Sequence, residues 1–355
     1  MINDLEMTIA TNNNEHSYFL CAMSGNGFKN FMTEKTKRYR KRILIKGGPG
    51  TGKSTLMKKI IENAKEKGII CDEIYCSSDP ASLDGVFIDK LSLCIVDATA
   101  PHIIEPIYPG SNDITFDLSR FWDSHKLFDN ERKIIEINIK KTEHYKNAYF
   151  LLSSLLSLHR LYYGIFDGCI KKDEIRDSIN YIFANIREDN TYECERKLCS
   201  AISTKGFIHL DSYDRIKSNH FVIEDKYDVS AYYLKNAFSH LKKNNTGFIY
   251  APDVLDNDLC EALYIPSSNI TVTVNSDIIG NKIIDTDDFI NKTEYSKVKE
   301  KLKRIKKPIN KIAEEISNEL SLVSEYHGSL EKIYSSAMNF DEKEIAQAEL
   351  INKIL

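Results

Sequence analysis

The sequence predicts an α/β protein with two tandem Rossmann-like domains, each holding a mostly parallel sheet and ending in a helical hairpin. Short apolar runs alternate with amphipathic segments. A glycine-rich segment joins one such run to a helix, and the order of elements recurs in the second half. Because 355 residues suffice for about two domains, we place the domains at residues 1–190 and 191–355.

The first half contains the predicted strands and helices in order. Apolar runs predict buried strands at residues 17–23, 42–46, 69–76 and 91–97. Apolar residues at helical spacing predict a helix directly after the glycine-rich segment, a long helix over 130–163 and another over 172–187. The last two helices form the predicted hairpin.

The second half repeats this pattern. Residues 220–223 lie 178 positions after residues 42–45, and residues 272–275 lie 178 positions after residues 94–97. A charged helix over 294–335, interrupted at Pro308, and a shorter one over 341–354 correspond to the first hairpin. Any two α/β domains share some order of strands and helices, but the repeated offset and the repeated hairpin favour an internal duplication.

The glycine-rich segment matches a phosphate-binding P-loop. Residues 47–54 read Gly-Gly-Pro-Gly-Thr-Gly-Lys-Ser, which fits the pattern G-x-x-x-x-G-K-[ST]. In such loops, glycines let backbone N–H groups face phosphates at the positive end of a helix, and the lysine reaches the β- and γ-phosphates. The predicted ligand is a nucleoside triphosphate, namely ATP with Mg²⁺. The predicted contacts are Gly47, Gly48, Pro49, Gly50, Thr51, Gly52, Lys53, Ser54 and Thr55.

A magnesium site is predicted beside the P-loop. The Ser54 hydroxyl is one expected ligand. The apolar strand that ends in Asp97 supplies the carboxylate that P-loop enzymes use as the second. An aspartate at a strand end can also be only a cap, but the adjacent P-loop favours the metal role. We therefore predict Ser54 and Asp97 as metal ligands, with Lys53 and Asp97 as catalytic residues.

The general base is left open by the sequence. Residue 98 is alanine, whereas many ATPases place a water-activating glutamate directly after the metal-binding aspartate. Four residues follow predicted strand ends, where open α/β sheets bind ligands, and they are candidates: Asp79, Asp84, His102 and Glu105. For any one of them a structural role is the simpler interpretation, in a turn at 79–80 or 84–85, or on a capped or solvated surface.

The second half lacks this chemistry. The offset of 178 places Ala231 at the position of Lys53, Tyr232 at that of Ser54, and Asn275 at that of Asp97. The three acidic residues in 224–228 would repel phosphate. We predict that this half is a degenerate copy that binds no nucleotide and serves as a packing or regulatory partner.

Three segments together resemble a known protein family. They are the P-loop, residues 77–86 (Ser-Ser-Asp-Pro-Ala-Ser-Leu-Asp-Gly-Val) and residues 97–106 (Asp-Ala-Thr-Ala-Pro-His-Ile-Ile-Glu-Pro). The chain is similar to an uncharacterised bacterial family of ATPase-like proteins with two tandem P-loop domains, sometimes labelled nucleotide kinases. The resemblance implies nucleotide binding and no particular reaction. Family members usually keep both P-loops, so the second half of this chain departs from the pattern.

Composition restricts the remaining possibilities. The longest apolar runs are far shorter than the roughly 18 residues of a membrane span, and residues 1–8 lack the features of a secretory signal. The eight scattered cysteines include no Cys-x-x-Cys pair, so neither disulfides nor structural zinc is predicted. With a net charge of −4, nucleic-acid binding is not indicated. We expect a cytoplasmic protein without a membrane partner.

Three functions remain open. The first is a Mg²⁺-dependent ATPase, a hydrolase whose turnover drives a conformational or assembly change in a homo-oligomer or with a protein partner. The second is a small-molecule or nucleotide kinase, which the missing glutamate at residue 98 favours. The third is a nucleotide-gated binding protein with negligible turnover.

Overall fold

A computed structural model describes residues 8–9, 14–186, 193–275 and 282–355. Two six-stranded sheets, mostly parallel, and eight α-helices form an α/β architecture across these residues, which confirms the predicted fold class. The predicted boundary between residues 190 and 191 lies outside the described residues. So do residues 1–7, most of the segment used to judge a secretory signal, and residue 187, the predicted end of a helix.

The first half contains nine strands and five helices among the described residues. The strands are β1 (Thr8–Ile9), β2 (Ser17–Tyr18), β3 (Cys21–Ser24), β4 (Gly27–Asn30), β5 (Lys41–Lys46), β6 (Asp72–Tyr75), β7 (Leu83–Ile88), β8 (Leu93–Asp97) and β9 (Asp113–Asp117). The helices are α1 (Met32–Thr36), α2 (Lys53–Glu66), α3 (Ser124–Asp129), α4 (Glu131–Phe166) and α5 (Lys172–Ile182).

The second half contains eight strands and three helices among the described residues. The strands are β10 (Cys194–Arg196), β11 (Ser200–Ser203), β12 (Gly206–His209), β13 (Asn219–Glu224), β14 (Phe248–Pro252), β15 (Cys260–Ile265), β16 (Ile270–Val274) and β17 (Lys282–Asp285). The helices are α6 (Ser230–Lys243), α7 (Lys292–Ser336) and α8 (Phe340–Ile354).

The two large sheets have the same topology. Their strand orders are β2-β6-β7-β8-β5-β9 and β10-β14-β15-β16-β13-β17. In each sheet the third strand runs antiparallel to both neighbours and the other pairings are parallel. The antiparallel hairpin β3–β4 corresponds to β11–β12. Identical strand order and direction in both halves support the predicted internal duplication.

The two halves pack on each other reciprocally. Helices α4 and α7 lie antiparallel along each other, because His144 Nδ1 lies 2.7 Å from Glu319 Oε2 while the later Tyr162 contacts the earlier Lys306. Helix α5 follows α4 and helix α8 follows α7, and each of these last helices packs on the opposite half. Helix α8 packs on α2 and the first sheet through Leu350, Ile351 and Ile354. Helix α5 packs with α6 and the second sheet. The hydrophobic cores therefore join residues from both halves.

Several predicted elements differ from the structure. The run over 17–23 is two strands, because β2 joins the large sheet while β3 pairs with β4. Helix α5 ends at Ile182 rather than 187. Helix α7 continues through Pro308, because Leu302 and Ile309 on either side of it are buried in the core and tertiary packing stabilises the helix. The segment 84–85 is not a turn, because Asp84 and Gly85 lie in β7.

Two further properties concern the chain as a whole. No helix in the described part of the chain is long and apolar enough to cross a membrane. All eight cysteines lie in that part, and each is a free thiol.

Candidate nucleotide site

The P-loop connects the end of β5 to the start of α2. Gly50 and Gly52 have φ angles of 70° and 84°, which glycine adopts without strain. Lys53 is the first residue of α2, so the loop ends at a helix N-terminus. Unpaired N–H groups and the helix dipole make such a terminus a binding site for an anion.

Hydroxyl and amine groups hold the loop in shape. Lys53 Nζ donates to the carbonyl oxygens of Gly47 at 2.8 Å and Gly48 at 3.0 Å. Thr51 Oγ1 donates to Gly48 O at 2.9 Å, and Thr99 Oγ1 donates to Gly47 O at 3.0 Å. The carbonyl groups of Gly47 and Gly48 are therefore held by hydrogen bonds, and the Lys53 ammonium lies inside the loop.

The two predicted magnesium ligands lie at the same edge of the first sheet. Asp97 ends β8, and its Oδ2 is 3.5 Å from Lys53 Nζ. Its Oδ1 accepts a hydrogen bond from Thr99 N at 2.8 Å. Ser54 Oγ accepts from Leu83 N at 3.0 Å, which leaves its second lone pair for a cation. A hydroxyl and a carboxylate are oxygen ligands that suit Mg²⁺.

Asp84 and His102 come together beside Asp97. Both side chains are buried, and Asp84 Oδ2 lies 3.3 Å from His102 Nε2. Within the described structure, Asp84 Oδ2 and His102 Nδ1 make no hydrogen bond. The pKa of Asp84 is raised above its ordinary value, chiefly by burial. The nearby His102 acts to lower this pKa, and the Asp97 charge acts to raise it. Asp84 is therefore close enough to Asp97 for the two charges to interact, and His102 lies beside Asp84.

The other two candidates are held in structural interactions. The Asp79 carboxylate accepts hydrogen bonds from Ala81 N at 3.2 Å and Ser82 Oγ at 2.6 Å, which closes a turn. Glu105 pairs with Lys46, with 2.9 Å between Oε1 and Nζ, and its side chain is 71% exposed. These contacts match the structural roles that the sequence suggested for both residues.

Residues from the second half cover the P-loop, and the sequence did not predict them. A Cβ placed on Gly50 would lie 2.8 Å from the backbone oxygen of Glu331 in α7. One placed on Gly52 would lie 3.2 Å from Lys343 Nζ in α8. The Lys343 side chain is only 4% exposed and lies 3.5 Å from Glu344 Oε1. A lysine on the buried face of an amphipathic helix is the sequence signal that could have identified it.

An aromatic pair forms another wall of the loop. The Trp122 ring lies 5.0 Å from the Tyr334 ring, and a Cβ on Gly48 would lie 3.2 Å from Trp122. Trp122 Nε1 is buried, and no described residue accepts its hydrogen. Because Trp122 follows β9 while Tyr334 lies on α7, this wall also combines both halves of the chain.

The corresponding loop of the second half has five residues, 225–229, whereas the P-loop between β5 and α2 has six. The shorter loop corrects the predicted equivalences. Ser230 begins α6 as Lys53 begins α2. Val274 pairs with Ile223 as Asp97 pairs with Ile45. The predicted equivalents Ala231, Tyr232 and Asn275 are therefore each displaced by one residue. The lysine and the carboxylate are still missing.

An internal carboxylate occupies the start of α6. Asp225 accepts hydrogen bonds from the backbone N–H groups of Tyr227 at 3.3 Å, Val229 at 2.9 Å and Ser230 at 3.1 Å. These donors belong to the loop and helix N-terminus that correspond to the phosphate-binding groups of the first half. Because an aspartate of the chain itself satisfies them, the second loop offers little to an external phosphate.

The comparisons with known proteins bear on the first half. The model of a family described as Nephrocystin 3, N-terminal, matches residues 22–136. The match runs from β3 into the first turns of α4 and includes the P-loop, Asp84, Asp97 and His102. It ends before the second half begins. No curated protein and no solved structure matched the chain.

Proposed function

We propose that the chain is a P-loop NTPase that binds ATP with Mg²⁺ in its first half and hydrolyses it. In this proposal, turnover changes the packing of the helical hairpins or their assembly with a partner. The contact of α7 and α8 with the P-loop carries the proposal, because Glu331 and Lys343 approach Gly50 and Gly52 directly. A phosphate in the loop would therefore change the surroundings of both helices.

The residues of the site have distinct roles in this proposal. Lys53 exchanges its contacts with the loop carbonyls for the β- and γ-phosphates. Thr51 and Thr99 keep the loop open, and Ser54 and Asp97 hold Mg²⁺. When bound, the metal neutralises charge on the phosphate oxygens.

Asp84 is the residue best placed to act as the general base. Its Oδ2 lies 3.3 Å from His102 Nε2 but makes no hydrogen bond within the described structure, and Asp84 is close enough to Asp97 for the two charges to interact. In hydrolysis, a water oxygen forms a bond to the γ-phosphorus while the bond from that phosphorus to the bridging oxygen breaks. Asp84 would accept the proton of this water, and His102 would hold the carboxylate in position.

The kinase alternative keeps the same site and replaces water by an acceptor hydroxyl. It is favoured by Ala98, which stands where many ATPases place a water-activating glutamate. We further propose membership of the bacterial tandem P-loop family and a cytoplasmic location, where free thiols such as the eight of this chain persist. The third alternative, nucleotide-gated binding, is the case in which ATP binds without turnover.

Steady-state phosphate release and ATP binding test these proposals on the full chain. We expect Mg²⁺-dependent hydrolysis in the wild type and loss of ATP binding in Lys53→Ala. In Asp84→Asn, hydrolysis should fall about 100-fold or more while ATP still binds. Glu105→Gln is the matched control and should leave both unchanged. Faster transfer to an added acceptor than to water would establish the kinase, and binding without turnover would establish the third alternative.

A further inference from the structure

A small polar cavity lies in the second half at the position that corresponds to the nucleotide site. Ser230 at the start of α6 and Val274 at the end of β16 line it, together with Glu261 of β15. Its volume is about 50 Å³, enough for a metal ion with a bound water. The cavity is thus too small for a nucleotide, and its lining differs from that of the first half.

Three potential metal ligands meet at this cavity. Cys199 precedes β11, His209 ends β12, and Glu261 lies in β15. One ligand atom from each lies within 4.8 Å of the others, and Cys199 Sγ is 3.2 Å from Glu261 Oε2. In tetrahedral zinc sites the ligand atoms are about 3.3–3.8 Å apart. Small side-chain movements would therefore complete such a site.

The surroundings of these ligands support a cation. The hydroxyl of Ser200 lies 3.0 Å from His209 Nδ1 and orients the imidazole, as outer contacts do in metal sites. Asp214 and Asp253 also line the cavity, and no lysine or arginine is among its described lining residues. A divalent cation would place a positive charge among these acidic groups.

A fourth observation points to a ligand in the cavity. His159 of α4 lines it and is buried. Its Nδ1 makes no hydrogen bond within the described structure. A water bound to a metal at the three ligands would give this nitrogen a partner. The site would then have three protein ligands and an open position, the arrangement in which zinc keeps a water.

We propose that Cys199, His209 and Glu261 form a zinc-binding site in the second half. Thiolate and imidazole ligands favour Zn²⁺ over Mg²⁺ or Ca²⁺, which prefer oxygen. The site is independent of ATP binding in the first half. The three ligands follow no metal-binding spacing, because they are spread over 63 positions and come together only through strand pairing.

Zinc binding to the full chain, measured by competition with a chromophoric chelator, tests the proposal. We expect one tight equivalent in the wild type and in Lys53→Ala, and at least a 100-fold loss of affinity in Cys199→Ser and His209→Ala. Cys260→Ser is the matched control, since Cys260 lines the same cavity but donates its thiol hydrogen to Ala262 O at 3.2 Å. Its affinity should stay unchanged.

A spectroscopic measurement on the wild type avoids any effect of the substitutions on folding. X-ray absorption of the zinc-loaded chain should show one sulfur and two or three nitrogen or oxygen neighbours. Absence of tight binding, an equal loss in Cys260→Ser, or a zinc environment without sulfur would each overturn the proposal. A normal zinc site in a protein that does not bind ATP would overturn only the proposed nucleotide function.

Discussion

Asp72 shows how single charges join the two halves. It begins β6 of the first sheet, and its carboxylate lies 2.9 Å from Lys197 Nζ of the second half. Lys35 Nζ is 3.6 Å away, and the Tyr18 hydroxyl donates to Asp72 at 2.6 Å. Although burial opposes it, contacts with His16 and the two lysines lower the pKa of Asp72 well below its ordinary value. The folded state therefore favours the ionised carboxylate.

The predicted consequence is a stability that depends on pH. Asp72→Asn should lower the free energy of unfolding by about 3 kcal/mol at pH 7, because a largely buried charge pair loses one partner. A lowered folded pKa stabilises the protein above the unfolded value of about 3.9, and this stabilisation is lost as the pH falls further. Urea denaturation should show a gap in unfolding free energy between wild type and variant that widens from about pH 8 to 5, as His16 protonates beside Asp72. The gap should then narrow below about pH 4, where Asp72 itself becomes protonated.

The control for this experiment is Asp129→Asn, which changes an exposed carboxylate at the end of α3. Its stability should stay within about 0.5 kcal/mol of the wild type at every pH. A gap for Asp72→Asn that keeps widening below about pH 4 would contradict the assigned role of Asp72.

At the scale of elements, α8 brings a positive charge to the P-loop of the other half. Lys343→Met keeps much of the side-chain volume but removes the ammonium beside Gly52. We expect ATP binding to weaken about tenfold, as for the loss of one charge-assisted hydrogen bond. Isothermal titration calorimetry measures the change. Lys353→Met, which alters an exposed lysine on the same helix, should bind ATP as the wild type does. Equal affinity in both variants would contradict the role of Lys343.

The elements differ in how well the sequence predicts them. The P-loop, α2 and the strand ending at Asp97 follow from local patterns, because glycine spacing and apolar periodicity are properties of neighbouring residues. Strand β7 was missed since Asp84 and Gly85 are typical of turns, and only pairing with β6 and β8 makes them a strand. Likewise, the approach of Lys343 to Gly52 joins positions 291 residues apart. No local pattern contains such a contact.

For the whole molecule, we predict that neither half folds alone, because α8 of the second half packs on the first sheet and α5 of the first half packs on the second. A fragment of residues 1–190 lacks α8, which leaves apolar side chains of α2 and the first sheet uncovered. A fragment of residues 191–355 lacks α4 and α5, which supply much of the core around α6. We expect each fragment to aggregate or to melt without cooperativity, whereas co-expressed fragments should form a 1:1 complex.

Size-exclusion chromatography and thermal melting of the fragments check this prediction. The complex should regain the ATP-dependent thermal shift of the full chain, because it restores the contacts of α7 and α8 with the P-loop. Cooperative melting of either isolated fragment would contradict it. In that case the predicted boundary between residues 190 and 191 would separate two autonomous domains.

The Asp225 carboxylate at the start of α6 shows how the second half differs from the first at the corresponding loop. The second half has no lysine at the start of α6, yet its last two helices lie against the P-loop of the first half. A change in the second loop therefore leaves this contribution to the first half intact. Asp225 accepts hydrogen bonds from backbone N–H groups at the start of α6, so these groups are satisfied without an external anion. The two loops differ in this respect, because the donors of the second are satisfied by the chain itself, whereas we propose that those of the first bind a nucleotide.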